Sequence, residues 1–353
     1  MAAVENTSGT LDFTIPGISS PCKTWYTIFG SLSSSSSKRP LVILHGGPGV
    51  PHSYMLPLQD LTRRYGTPVI MYDQMGCGNS THLPEKLHDG DFWTVQLFLD
   101  ELDNLLQKLK IQDDYNLLGQ SWGGMLAACH AIRQPKGLRR LIIADSPASM
   151  KLWVEAADRL REELPPQVQA TLTRCEREGK TESEEYEKAV DVYYERHLCR
   201  VKPMPEELKQ SFADMKKDPT VMLTMNGPSE FFITGTLKTW SIIEELHKIV
   251  VPTLLVNGRY DEAQDEVVEP FFERIPKVKW FRFAESSHVS KVPYTPAVGL
   301  FQGCVLEDDS EMLTLCSLSP AARRWNADMC ALQLPQFEER EDFMKLVGNF
   351  LGL

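Results

Sequence analysis

Apolar residues along this chain gather in short runs separated by longer stretches of mixed character. The runs at residues 41–44, 68–72, 115–118, 141–144, 252–256 and 279–283 read as strands. Helix-like segments lie between them, and this alternation predicts an α/β fold with a mainly parallel sheet and covering helices. Two earlier stretches, 11–16 and 24–29, also read as strands and bring the sheet to eight. The serine run 33–37 that follows them has no apolar content and reads as a flexible hairpin loop, so the sheet is expected to begin antiparallel. The clearest helix has Val95, Phe98, Leu99, Leu102, Leu105, Leu106 and Leu109 at three- and four-residue spacing, a stripe that packs on the sheet.

From 151 to 246 the strand signal disappears and charged helical sequence takes over, as at 154–164 and 183–198. The expected organisation is therefore a catalytic domain made of 1–150 and 247–353, with 151–246 inserted as a helical cap. The charge run 176–188 reads as a solvated helix surface.

Composition narrows the function. With 353 residues, 42% of them hydrophobic, the chain can bury a sizeable core. A formal charge of -11 argues against nucleic acid or an anionic membrane as partner, because both reward clustered Lys and Arg. A small neutral or cationic substrate fits better. No apolar run approaches the about eighteen residues of a membrane span, and residues 1–17 lack the basic start and apolar centre of a secretory signal. A cytoplasmic protein is expected. Its eight cysteines contain no C-x-x-C pair, so they read as reduced, mostly buried thiols rather than a zinc site or disulfide framework.

The chemistry starts at Gly119-Gln120-Ser121-Trp122-Gly123-Gly124, directly after the strand 115–118 and before a small-residue helix. This is G-x-S-x-G between strand and helix, the turn that presents a serine hydroxyl at the sheet's edge. A serine hydroxyl is a poor nucleophile unless a base takes its proton, and in this arrangement the order is Ser, acid, His. Of the histidines after Ser121, only His288 lies beyond the last strand; His130 sits down the elbow helix, and His197 and His247 read as cap or surface residues. The acid should follow the penultimate strand, which selects Asp261. Its rival, Asp145, comes one strand too early and reads as a cap of the following turn. Oxyanion donors are expected from the Trp122 N–H and from Gly46 and Gly47 in His45-Gly46-Gly47-Pro48-Gly49, where glycine allows close backbone approach. A nucleotide loop is the competing idea, but the P-loop Lys-Ser/Thr and G-x-G-x-x-G are both missing. Serine at 121 also excludes haloalkane- and epoxide-type chemistry, which uses an aspartate there.

With these residues in place the chain resembles the prolyl aminopeptidase (proline iminopeptidase) branch of the α/β-hydrolases, including the tricorn-interacting aminopeptidases. The match is carried by the His45 to Gly49 motif, by Asp73-Gln74-Met75-Gly76-Cys77-Gly78-Asn79-Ser80, by Gly119 to Gly124, by Asn226-Gly227-Pro228-Ser229-Glu230-Phe231, and by Gly258 to Glu262. The resemblance implies release of an N-terminal residue, often proline, from peptides, amides or arylamides with a free N-terminus, without metal or organic cofactor. It also implies that Glu230 and Glu262 hold the substrate's ammonium, where paired carboxylates favour a charged amine over a blocked one. Without that match, Glu230 reads as an ordinary cap charge and Glu262 as a helix-start acid. Phe231, Trp122 and Trp240 are candidate pocket walls and equally candidate core residues.

The pattern breaks after His288. The family passes within a few residues to the acidic start of a final helix, which Phe337-Glu338-Glu339-Arg340-Glu341 resembles, yet here 289–336 intervenes with three of the eight cysteines. It reads as a surface insertion, a gating loop, or translated intron sequence, since Val289-Ser290 is compatible with a splice donor and Gln336 with an acceptor. Two other functions remain open: a carboxylesterase-type hydrolase on the same triad, and a non-catalytic ligand-binding homologue.

Overall fold

The computed structural model describes residues 4–19, 21–32, 38–288 and 339–353. The 33–37 loop, the 289–336 stretch, Phe337 and Glu338, and Cys304, Cys316 and Cys330 lie outside the described residues.

Eight strands form one sheet: β1 (Asn6–Phe13), β2 (Cys22–Phe29), β3 (Leu41–Leu44), β4 (Val69–Asp73), β5 (Tyr115–Gln120), β6 (Leu138–Ala144), β7 (Thr253–Gly258) and β8 (Val278–Phe283). Their order is β1-β2-β4-β3-β5-β6-β7-β8, antiparallel from β1 through β4 and parallel thereafter. The apolar runs anticipate β2 to β8 closely. β1 starts earlier than the run at 11–16 suggests, because its first residues are polar and exposed and are held by the ladder to β2, with Asn6 opposite Phe29.

The central strands are buried on both faces, which is why they are continuous apolar runs rather than alternating ones. Successive side chains supply opposite cores: Val42, Leu44, Ile70 and Leu117 face one, and Leu41, Ile43, Met71 and Leu118 the other. The helices α1 (Asp60–Tyr65), α2 (Val95–Lys108) and α3 (Trp122–Ile132) follow β3, β4 and β5. The stripe of α2 is buried as its spacing predicts, and the Thr94 hydroxyl caps its start by accepting from the Leu97 N–H.

Between β6 and β7 come α4 (Met150–Glu162), α5 (Pro166–Glu178), α6 (Glu184–His197), α7 (Glu206–Lys217) and α8 (Thr220–Met225), with no strand among the described residues. Leu160, Leu172, Tyr186, Val190, Tyr193 and Phe231 form a third core of their own in this segment. It docks on the loop after β3 through Ser211, whose hydroxyl donates to Pro51 O (3.0 Å) and accepts from Tyr54 N–H (3.0 Å). After β7, α9 (Asp265–Arg274) and α10 (Arg340–Leu351) complete the fold. Among the described residues no helix is long and apolar enough to cross a membrane. No disulfide joins the described cysteines, which are all buried except the half-buried Cys129.

Candidate active site

Ser121 sits between β5 and α3 at φ 55°, ψ -124°, a conformation side-chain-bearing residues rarely adopt. Its surroundings enforce that turn sterically. A Cβ on Gly119 would lie 2.0 Å from Gly123 O, and one on Gly123 would lie 2.1 Å from Leu44 O. Those two glycines press α3 against the ends of β5 and β3, so the nucleophile and the glycine loop after β3 are set against each other by backbone contact.

His288 and Asp261 come from the two loops beyond β7 and β8. The loops are tied together, with Tyr260 N–H donating to Ser286 O (2.8 Å) and His288 N–H to His197 O (2.9 Å). His197 is thus a buried support beside the site rather than a surface residue, and its Nδ1 lies 3.1 Å from Tyr260 O. His288 Nδ1 lies 2.7 Å from Asp261 Oδ1, and Asp261 also accepts from Ala263 N–H (2.7 Å) and Gly258 N–H (3.3 Å). Ser121, His288, Gly46, Gly47, Tyr54 and Glu230 line one narrow cavity. A second shares Gly47, Ser121 and Glu230 with it and is walled by Met125, Met150 and Trp153.

The glycine loop corrects one expectation. The Gly46 N–H donates to Tyr54 Oη at 2.6 Å and is not free for an oxyanion. Gly47 N–H has no acceptor among the described residues, and Trp122 opens α3, where helix geometry leaves the N–H without an intrahelical acceptor. Tyr54 in turn donates to Gln120 Oε1 (2.7 Å), and Gln120 Nε2 donates to His288 O (3.3 Å). One tyrosine therefore links the glycine loop, the residue before the nucleophile and the histidine loop. Sequence reading misses Tyr54 because it lies in the irregular segment His52–Gln59, with no motif of its own.

A larger depression of about 950 Å³, lined by Asp73, His82, Lys217 and Asp218 among others, lies apart from Ser121. Its polar groups satisfy one another, through His82–Asp218 (2.6 Å), Lys217–Asp214 (2.6 Å) and Asp73 to His52 and Asn79. The Asp73 to Ser80 motif is accordingly structural. Gln74 accepts from the Trp122 indole N–H (2.9 Å) and donates from its backbone to His45 Nε2 (2.9 Å). Burial holds His45 down at about 4, so it is neutral and serves as a loop anchor.

This geometry agrees with what the chain is similar to. Residues 39–292 match the family described as the alpha/beta hydrolase fold. The proline iminopeptidase of Saccharolobus solfataricus is 41% identical, over 72% of this chain and 80% of that one. That of Heyndrickxia coagulans is 34% identical, over 74% and 88%. The chain belongs to the proline iminopeptidase branch of the α/β-hydrolases. Among solved structures, the proline iminopeptidase of Mycobacterium smegmatis is 44% identical with a TM-score of 0.72, covering 80% of this chain and 92% of that one. VinJ is 42% identical with a TM-score of 0.81, covering 98% of each.

In this hydrolase the helical segment contributes Glu230, held by its main chain: its N–H donates to Tyr194 Oη (3.2 Å) and its carbonyl accepts from Trp153 Nε1 (2.6 Å). Glu230 lines both cavities. Glu262 lies deeper, lining neither, and both its carboxylate oxygens are buried without a hydrogen-bond partner among the described residues. It precedes α9 by three residues and so is not a helix-start acid. Burial raises Glu230 to about 7, with the charge of His288 opposing. Burial also pushes Glu262 well above the carboxylate range, against His288 and with help from Glu230 and Asp261. Two acids with no cation beyond His288 among the described residues are an electrostatic demand for positive charge. Of the candidate walls, Trp122 lines the second cavity, whereas Phe231 is core of the helical segment and Trp240 packs against the main core.

Proposed function

We propose that this protein is a serine aminopeptidase that releases an N-terminal residue, proline above all, from peptides and amino-acid amides. The observation that carries the reading is a strained, glycine-walled serine that shares its cavity with Glu230, with Glu262 buried behind it and its carboxylate without a hydrogen-bond partner among the described residues. In this reading 151–246 acts as a cap over the catalytic domain, and the cap supplies Glu230 as the recognition element.

Ser121 Oγ attacks the scissile carbonyl while His288 Nε2 takes its proton, and Asp261 holds the imidazole and offsets its charge. The Gly47 and Trp122 N–H groups receive the oxyanion. His288 then returns the proton to the leaving amine, and the carbon–nitrogen bond breaks to leave an acyl-enzyme. Water, activated by the same histidine, resolves it. Glu230 and Glu262 receive the substrate's ammonium, which replaces the missing cation and rejects a blocked N-terminus.

Purified protein assayed on prolyl and other aminoacyl arylamides, each with a free and an acetylated N-terminus, tests this. The free amines should be turned over and the acetylated ones refused, and Ser121→Ala should lower kcat by roughly five to six orders of magnitude. Equal rates on free and acetylated substrates would instead support an esterase-type hydrolase. Failure of a fluorophosphonate to label Ser121 would support a non-catalytic binder.

A further inference from the structure

Asp145 directly follows β6, and Asp261 lies in the loop three residues beyond the neighbouring β7. β6 and β7 pair in parallel with Ala144 opposite Val256, and the Asp145 N–H extends that ladder to Val256 O at 2.8 Å. The register carries the two carboxyl groups into hydrogen-bond contact, with both residues essentially sealed from solvent. Asp145 does so at φ 51°, a backbone position that only Gly, Asn and Asp occupy with any ease. It is not capping a turn: no donor reaches its Oδ1, and the only ion pair either acid makes among the described residues is that of Asp261 with His288.

Two carboxylates in contact away from water do not both ionise. Asp261 is the one that accepts from His288, Ala263 and Gly258, so the negative charge belongs there and the proton belongs on Asp145. We propose that Asp145 is a positioning residue: as a neutral carboxylic acid it donates a hydrogen bond to the Asp261 carboxylate, fixing the orientation in which Asp261 Oδ1 meets His288. The inference rests on the Ser121–His288–Asp261 reading above. Burial, followed by the charge of Asp261 and the hydrogen bond to it, holds the Asp145 carboxyl well above its ordinary range. Asp261 is held low despite burial, by His288, by Asp145 and by the Ala263 N–H.

The backbone geometry supplies a clean pair of variants. Asp145→Asn keeps a donor in a residue that tolerates positive φ, and Asp145→Gly removes the donor while relieving the strain. Asp145→Gly should lower kcat about ten- to a hundred-fold, the worth of a hydrogen bond to a charged group. Its KM should stay within about two-fold, and Asp145→Asn should keep kcat within about three-fold of the parent. Parent-minus-Asp145→Asn infrared difference spectra at neutral pH should show the loss of one protonated-carboxyl stretch, the bands of Glu262 and the other raised carboxyls cancelling, a readout that stands whether or not the glycine variant folds. Full kcat in a folded Asp145→Gly, equal damage from both variants, or an infrared band unchanged in Asp145→Asn would overturn the proposal. Asp261→Ala is the control. If it leaves kcat intact the triad reading falls and this inference with it, whereas its collapse beside an unaffected Asp145→Gly removes this inference alone.

Discussion

The two walls of the Ser121 cavity are built on different principles. On the sheet side, position is set by sterics: Gly119 and Gly123 touch backbone where no Cβ fits, and Ser121 is forced into its turn. On the helical side, Glu230 is suspended by two main-chain hydrogen bonds, and the notable quantity is a buried acid whose one charged counterpart is His288. A wall set by contact fixes where atoms meet and leaves little room to vary. In the proposed function the wall set by charge selects the amine, so attack geometry and amine selection are expected to be separable.

The hardest test of that separation is Gly123→Ala. The new methyl carbon would lie 2.1 Å from Leu44 O, and neither α3 nor β3 can yield without moving the sheet. The variant is expected to lose more than about 3 kcal/mol of stability in a denaturant titration and to yield little folded enzyme. A stable, active Gly123→Ala would mean that the sheet-side wall is pliable and that the contrast is overstated.

Tyr54→Phe tests whether hydrogen bonds also matter on the sheet side. It removes the acceptor of the Gly46 N–H and the donor to Gln120 Oε1 while keeping the ring. The glycine loop should lose definition next to the Gly47 donor, and kcat should fall about ten-fold with stability reduced by about 1–2 kcal/mol. Stopped-flow acylation and thermal unfolding measure the two effects. An unchanged kcat would leave the loop's position to backbone packing alone.

What the sequence displays follows the same division. β3, β4, β5, β7 and the second half of β6 are legible because parallel strands buried on both faces are largely apolar, and Ser121 because sterics confine its turn to glycine neighbours. The polar first half of β1 is invisible to any apolar-run criterion, since pairing with β2 alone makes it a strand. Likewise Asp145 and Asp261 lie more than a hundred residues apart, with a helical segment between them, and only the adjacency of β6 and β7 makes them partners instead of rivals. The loss of Gly46 as an oxyanion donor depends on where Tyr54 points. Local chemistry is written locally, whereas pairings across the sheet need the topology.

The smallest expected effect asks whether the two walls communicate at all. Burial disfavours a charged His288, but the Asp261 charge and hydrogen bond, then Glu262 and Glu230, outweigh it and raise the imidazole to about 9. A protonated imidazole cannot take the Ser121 proton, so reactivity of the free enzyme should rise with pH through that value. Removing an anion that favours the charged form lowers the pKa, so Glu230→Gln should move this rise to lower pH. The shift should stay under about one unit, because Asp261 remains the dominant influence. The pH dependence of Ser121 labelling by a fluorophosphonate isolates the effect, since that reagent carries no amine to titrate. A downward shift would also give bound substrate a second role: an ammonium at Glu230 offsets the same charge and would release His288 to act as base. A limb that stays fixed would confine Glu230 to recognition and leave the walls independent in electrostatics as well as in packing.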